Sequence, residues 1–242
     1  FVYDVADLPY DGMFKGSMKN QMIHANNLMC ISNYIQREIQ KQLNLKSTLI
    51  PNGVDLNEFR EAEGCELKTS SRKIVGFIGN HGWWSGLSFL LDFFKLVQNE
   101  FELWIVGDGS ELPNAMKKVE KEGIKKVKFY GAVSKDDVVK YFRGIDIGVL
   151  PFKKTIFTDA AFPIKVLEYT AAKKFVLATD LEELKTLRLA NLVLRASNEK
   201  LWAETIHEIE NKKWNPEWNK EIEGYDWNVL GERVLTLLEE MT

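Results

Sequence analysis

The residue types able to do chemistry gather in residues 150–172. An apolar run ends at Leu150, a loop follows, and Pro163 opens a helical pattern that carries Lys165 and Glu168. Proline suits the first helical position, whose N–H is unpaired in any case. The unpaired amides of the first turn, with the positive end of the helix dipole, then form a pocket suited to a diphosphate. Lys165 stands at the end of a helix where a cation is unfavourable, which points to an anionic ligand, the other reading being a solvated lysine. Glu168 follows three residues later on the same helical face. Its carboxylate can accept hydrogen bonds from a vicinal diol such as ribose, or it can pair with Lys165.

A second candidate is the loop Gly79-Asn-His-Gly82-Trp-Trp-Ser-Gly86. Glycines let backbone amides approach a ligand closely, so this turn can cradle phosphate, although it matches neither GxGxxG nor a Walker loop. The other reading is a tight turn with its tryptophans packed on the core. His81 offers a ring nitrogen to a phosphate or a sugar, or is a solvated turn residue. Trp83 and Trp84 point at the proposed site, whereas Trp202, Trp214, Trp218 and Trp227 read as packing. Gly107-Asp-Gly109 reads as an ordinary turn with Asp108 or Ser110 as helix cap, and Asp136-Asp137 as first-turn acids.

Composition narrows the class of protein. Of 242 residues, 32 are basic and 35 acidic, a formal net charge of −3, which lacks the basic excess of a nucleic-acid binder. Cys30 and Cys65 are the only cysteines and the 3 histidines are scattered, so neither a disulfide framework nor a histidine-built metal site is expected. The longest apolar runs fall short of the roughly 18–20 residues that span a bilayer. The chain opens on Phe1 within a strand-like run, so we expect it to be the carboxyl part of something larger.

The elements that must position these groups alternate between β-rich runs and amphipathic helices, the pattern of a parallel sheet with helical crossovers. Strands are expected at residues 1–5, 28–31 and 47–50, then a linker at 57–72. The rhythm restarts with strands at 74–78, 102–106, 127–130, 146–150, 175–178 and 192–194. Helices are expected at 87–98, 112–122, 136–142, 163–172, 199–210 and 227–240. The fold class predicted is α/β: a doubly wound parallel sheet preceded by the end of a second, truncated Rossmann-like domain. Such sheets bind ligands beyond the carboxyl ends of their strands.

Several segments together resemble the nucleotide-sugar-dependent glycosyltransferases of GT-B type, in the large family-4-like group. They are Met29-Cys-Ile-Ser-Asn33, Ile50-Pro-Asn-Gly-Val-Asp55, Val75-Gly-Phe-Ile-Gly79, Trp104-Ile-Val-Gly-Asp-Gly109, Val127-Lys-Phe-Tyr-Gly131, Pro163-Ile-Lys-Val-Leu-Glu-Tyr169 and Tyr225-Asp-Trp227. The resemblance implies an acceptor-side domain ending at residues 1–56, a donor-binding domain over 57–224, and a final helix, 225–242, crossing back to the first domain. It implies transfer of a hexose to a hydroxyl of a glycan or lipid-linked acceptor, without a metal or other cofactor, and with retention.

By the same resemblance Glu168 would hold the ribose, and Phe162, Ile164 and Lys165 the diphosphate. Gly79, Asn80 and His81 would face the phosphates from the other side, and Gly131 and Val133 the base. Lys165 is the expected catalytic charge. The family's acceptor-side histidine falls at Ala6, leaving Asp4 and Asp7 as the nearest polar groups, with Asp7 the candidate. The first glutamate of the family's Glu-x7-Glu pattern falls at Ala160, and Asn80 replaces a usual basic residue. These departures carry the alternative, a catalytically inert module that binds a nucleotide or a partner. No nucleic-acid partner is expected. The family implies a cytoplasmic enzyme with peripheral association at the inner membrane surface.

Overall fold

The computed structural model describes residues 1–61 and 71–239. The chain begins with β1 (Val2–Val5), α1 (Gly16–His24), β2 (Asn27–Cys30), α2 (Asn33–Leu43) and β3 (Thr48–Leu49), and the three strands form a parallel sheet in the order β1-β2-β3. Ser32 caps α2, its hydroxyl accepting from the Ile35 amide at 3.2 Å. Ile35 and Ile39, one turn apart on α2, are fully buried against this sheet's core.

The expected linker is partly helical. α3 (Leu56–Glu61) buries Leu56 and Phe59, and residues 62–70 lie outside the described residues. The two apolar side chains, three positions apart and on one face of the helix, are enough to dock it.

The second sheet comprises β4 (Lys73–Ile78), β5 (Phe101–Val106), β6 (Val127–Gly131), β7 (Ile147–Leu150), β8 (Phe175–Thr179) and β9 (Leu192–Arg195), all parallel, in the order β6-β5-β4-β7-β8-β9. The chain runs outward from β4 to one side and then returns to β7 and runs outward on the other. Its topological switch point therefore lies between β4 and β7. Every residue of β5, β7 and β8 is buried, as expected for strands covered on both faces.

The covering helices are α4 (Leu87–Val97), α5 (Leu112–Glu122), α6 (Lys135–Gly144), α7 (Ile156–Ala160), α8 (Ile164–Ala171) and α9 (Glu199–Glu210), and α10 (Trp227–Glu239) ends the described chain. Trp202 of α9 packs edge-on against Phe89 and Phe93 of α4, at ring-centroid distances of 5.0 and 5.6 Å. Burial of each such side chain contributes roughly 1.5–3 kcal/mol.

Besides the unexpected helices α1, α2 and α3, three details differ from the sequence reading. The loop after β7 contains α7, whose start is fixed by a reciprocal cap between Thr155 and Thr158. Pro163 is the N-cap of α8, at φ −75° and ψ 99°, one position earlier than the first helical residue. A 3₁₀ stretch, Pro216–Tyr225, precedes α10.

Two sets of contacts join the sheets. The Ser32 hydroxyl donates to the Ala160 carbonyl at 2.6 Å, and the buried Glu183 carboxylate accepts from the Asn33 amide, the Asn33 side chain and the Tyr34 amide at 2.9–3.0 Å. A carboxylate is well placed there, against the positive end of α2. At the other junction Val54 bridges Asp226, and Arg233 of α10 donates to the Leu49 carbonyl at 2.7 Å. Gly53 is required at this crossing: a Cβ would stand 2.8 Å from both the Trp227 ring and the Tyr225 carbonyl.

Candidate functional site: a cavity at the switch point

The carboxyl ends of β4, β5 and β6 converge with the start of α8 around a cavity of about 290 Å³. Gly79 and Asn80 line it from β4, Val106, Gly107 and Asp108 from β5, Val133 from the turn after β6, and Lys165 from α8. Larger cavities of about 480 and 510 Å³ lie against α2, the first also touched by Ile156 of α7. The loops from β4 and β5 touch. A Cβ at Gly107, which has φ +119°, would stand 1.9 Å from the Gly79 carbonyl, so only glycine fits.

Lys165 arches over the end of β4. Its Cε is 3.4 Å from where a Gly79 Cβ would be, and its ammonium sits 5.3 Å from the centre of the buried Phe142 ring. Lys165 Nζ also lies 2.6 Å from Glu168 Oε2, so the i,i+3 pair foreseen as an alternative is formed. The buried Oε2 is engaged by this ion pair and has no other partner. The amides of Ile164 and Lys165 precede any carbonyl the helix could offer them. The site thus presents a cation, first-turn amides and an acidic acceptor within one turn of helix.

The remaining candidates separate. Gly131 adjoins the cavity, its carbonyl accepting from the Gly107 amide at 2.8 Å, and Ile164 opens α8. Phe162 is buried against Tyr225, ring centroids 5.7 Å apart, so it can offer backbone only. Asp7 lies in the loop after β1, exposed, and is not among the residues lining this cavity. The protein around Asp4 and Asp7 raises both carboxyls above the ordinary value.

His81 faces inward. It is fully buried, edge-on to Phe77 at 4.8 Å, with Nε2 3.2 Å from the Val106 carbonyl and Nδ1 unpartnered. Burial pushes its pKa down to about 4, so the ring is neutral. The expectation of a ligand-facing or solvated His81 is corrected: its backbone, bonded to Asp108 and Glu111, holds the β4 and β5 loops together.

Gly107 and Asp108 were passed over as a plain turn. Neither Asp108 nor Ser110 caps α5, whose N-cap is Glu111. The signal was the carboxyl-end rule itself, applied to β5 as well as β4. Ser134 does cap α6, accepting from the Asp137 amide at 3.1 Å, so the Asp136-Asp137 pair is structural. Among the described residues no group of three or more His, Cys, Asp or Glu side chains could hold a metal ion, and no helix is long and apolar enough to cross a membrane.

A six-stranded parallel sheet of this order, with an anion-suited helix start at its switch point, defines a Rossmann-like domain of GT-B type. The chain belongs to the family described as glycosyl transferases group 1, whose model matches residues 72–211. It is 28% identical over 170 residues to TuaH of Bacillus subtilis (strain 168), whose name assigns it, as a glycosyltransferase, to teichuronic acid biosynthesis. That alignment covers 65% of this chain and 41% of TuaH.

Solved structures share the fold at low identity. A glycosyltransferase from Rickettsia africae ESF-5 superposes with a TM-score of 0.80 at 18% identity, covering 99% of this chain and 70% of its own. Anabaena HepE, in complex with UDP and glucose, gives 0.77 at 16%, covering 98% and 71%. S. aureus TarM, as a variant with fondaparinux, alpha-GlcNAc-glycerol and UDP, gives 0.78 at 17%, covering 98% and 50%.

Proposed function

We propose that this chain carries the donor side of a glycosyltransferase that moves a hexose from a nucleoside diphosphate sugar to a hydroxyl of a glycan or lipid-linked acceptor. The observation that carries this reading is the meeting of Lys165, in the first turn of α8, with the Gly79–Asn80 turn over one cavity beside the switch point. When the bond from the anomeric carbon to the diphosphate oxygen breaks, negative charge grows on that oxygen. Preorganised amides and an ammonium stabilise such charge more strongly than they stabilise the ground state.

In this reading the diphosphate draws Lys165 away from Glu168, and the carboxylate so released takes the ribose hydroxyls. Retention would follow from attack on the face the diphosphate leaves, with a phosphate oxygen taking the acceptor proton. Asp7, in the loop after β1, is the candidate to orient the acceptor. Residues 1–56 would belong to the acceptor side, 57–224 to the donor side, and 225–242 to the returning helix. HepE was solved with UDP and glucose, and the TarM variant with UDP and a glycan, which favours UDP and a glycan here.

The inert-module reading draws on Ala160, a buried alanine whose carbonyl is taken by Ser32. A thermal-shift panel of UDP, GDP, ADP and their sugars, followed by assay of sugar release or transfer, tests both. Selective stabilisation by one nucleotide with turnover of its sugar supports the transferase, since the shift scales with ligand concentration over Kd. Stabilisation without turnover favours the inert module, and no stabilisation by any of them removes the site.

A further inference from the structure

We propose that Tyr169 is the positioning residue of the donor site: its hydroxyl bridges Gly76 and Ile78 where β7 parts from β4, and so holds the switch point open beneath Lys165 and Gly79. The inference rests on the donor-site reading above and assigns a role to a side chain that never reaches the cavity.

Strands β4 and β7 pair only at Val75 with Ile147 and at Gly76 with Gly148, although β4 continues to Ile78 and β7 to Leu150. In a parallel ladder one residue donates to the carbonyl before its opposite number and accepts from the amide after it. By this rule the Gly76–Gly148 pair already turns the Val149 amide toward Gly76 O, and the next bond of the ladder would run from the Ile78 amide to the Val149 carbonyl. The Tyr169 hydroxyl takes that bond instead, accepting from the Ile78 amide at 3.0 Å, and it donates to the Gly76 carbonyl at 3.0 Å. The hydroxyl oxygen thus does the work of one strand carbonyl, and the Ile78 amide is not left unpaired in the core.

The surroundings are shaped for this insertion. A Cβ at Gly148 would stand 2.5 Å from the Tyr169 ring, and Tyr169 has no solvent exposure. The ring packs edge-on against Phe142 at 5.0 Å, the same ring over which Lys165 Nζ sits. Burial drives the phenol far above its ordinary pKa, so the hydroxyl keeps its proton. Tyr169 adjoins Glu168, and Ile78 adjoins Gly79. One hydroxyl therefore sets the distance between the helix that brings the cation and carboxylate and the turn that lines the opposite wall.

Tyr169→Phe removes only the oxygen. The test measures UDP affinity of the folded intact chain by calorimetry, alongside the thermal midpoint without ligand. The expected result is a UDP Kd raised about tenfold, the scale of one lost hydrogen-bonding position, beyond any fall in midpoint. A lowered midpoint with an unchanged Kd would mean that Tyr169 is merely structural and would overturn the proposal. If the parent itself does not bind UDP, the donor-site reading fails first and separately.

Should the variant not fold, amide exchange in the parent decides. Ile78 is expected to be protected to the level of Phe77 without any ligand. Exchange at Ile78 as fast as at an exposed loop amide would show that the hydroxyl does not hold it.

Discussion

Lys165 and Glu168 have opposite charges and one helical face, so without ligand each satisfies part of the other. The pair has moderate exposure, 29% and 19% of the side chains, and an exchange of partners when a diphosphate arrives needs no refolding. His81 is the contrasting case. Its type and loop suggested ligand chemistry, yet the ring is enclosed between Phe77 and the β5 carbonyl of Val106. The folded ring holds its proton only below about 4, against 6.5 for the free side chain. Between these values the unfolded chain binds more protons, so this stabilisation is complete above pH 6.5 and is lost as pH falls toward 4. Chemical denaturation of the parent from pH 7 to 4 should show a loss on the order of 3 kcal/mol that His81→Leu lacks. Parallel pH curves for the two proteins would refute this assignment.

At the scale of elements, the six strands of the second sheet and helices α5 and α9 lie within a residue or two of where periodicity puts them, because their apolar spacing has no rival reading. The β1 to β3 strands were equally legible. Helices α1, α2 and α3 were not expected: Gly16–His24 is polar on most faces and buries only Met22, Asn33–Leu43 buries only Ile35 and Ile39, and Leu56–Glu61 offers two apolar residues. Helix α7 hid inside a loop because its start depends on a Thr155–Thr158 cap rather than on an apolar stripe. The inward turn of His81 was likewise invisible, since it follows from loop contacts between β4 and β5. The anion-suited start of α8 was readable from Pro163 and Lys165. The Glu183 contact to α2, which spans 150 positions of chain, was not. Glu183→Ala strips the Asn33 and Tyr34 amides of their partner and should lower unfolding stability by about 2–3 kcal/mol in denaturant titrations. A loss below roughly 0.5 kcal/mol, the range of ordinary surface changes, would show that this junction contributes little.

Over the whole molecule the carboxyl ends of β2 and of β7 meet through Ser32 and Ala160, and the cavity at the switch point draws on three strand ends and one helix start. No single element contains the site, and its walls depend on Gly79, Gly107 and Gly148 allowing close approach. The account reduces to one claim, that α8 and its lysine grip a diphosphate while Glu168 reads the sugar attached to it. Calorimetry of UDP and of inorganic pyrophosphate on the parent, Lys165→Ala and Glu168→Ala tests it most directly. Lys165→Ala is predicted to weaken both ligands about tenfold or more, whereas Glu168→Ala should weaken UDP and leave pyrophosphate at least as tight. Parent-like binding of both ligands by both variants would contradict it.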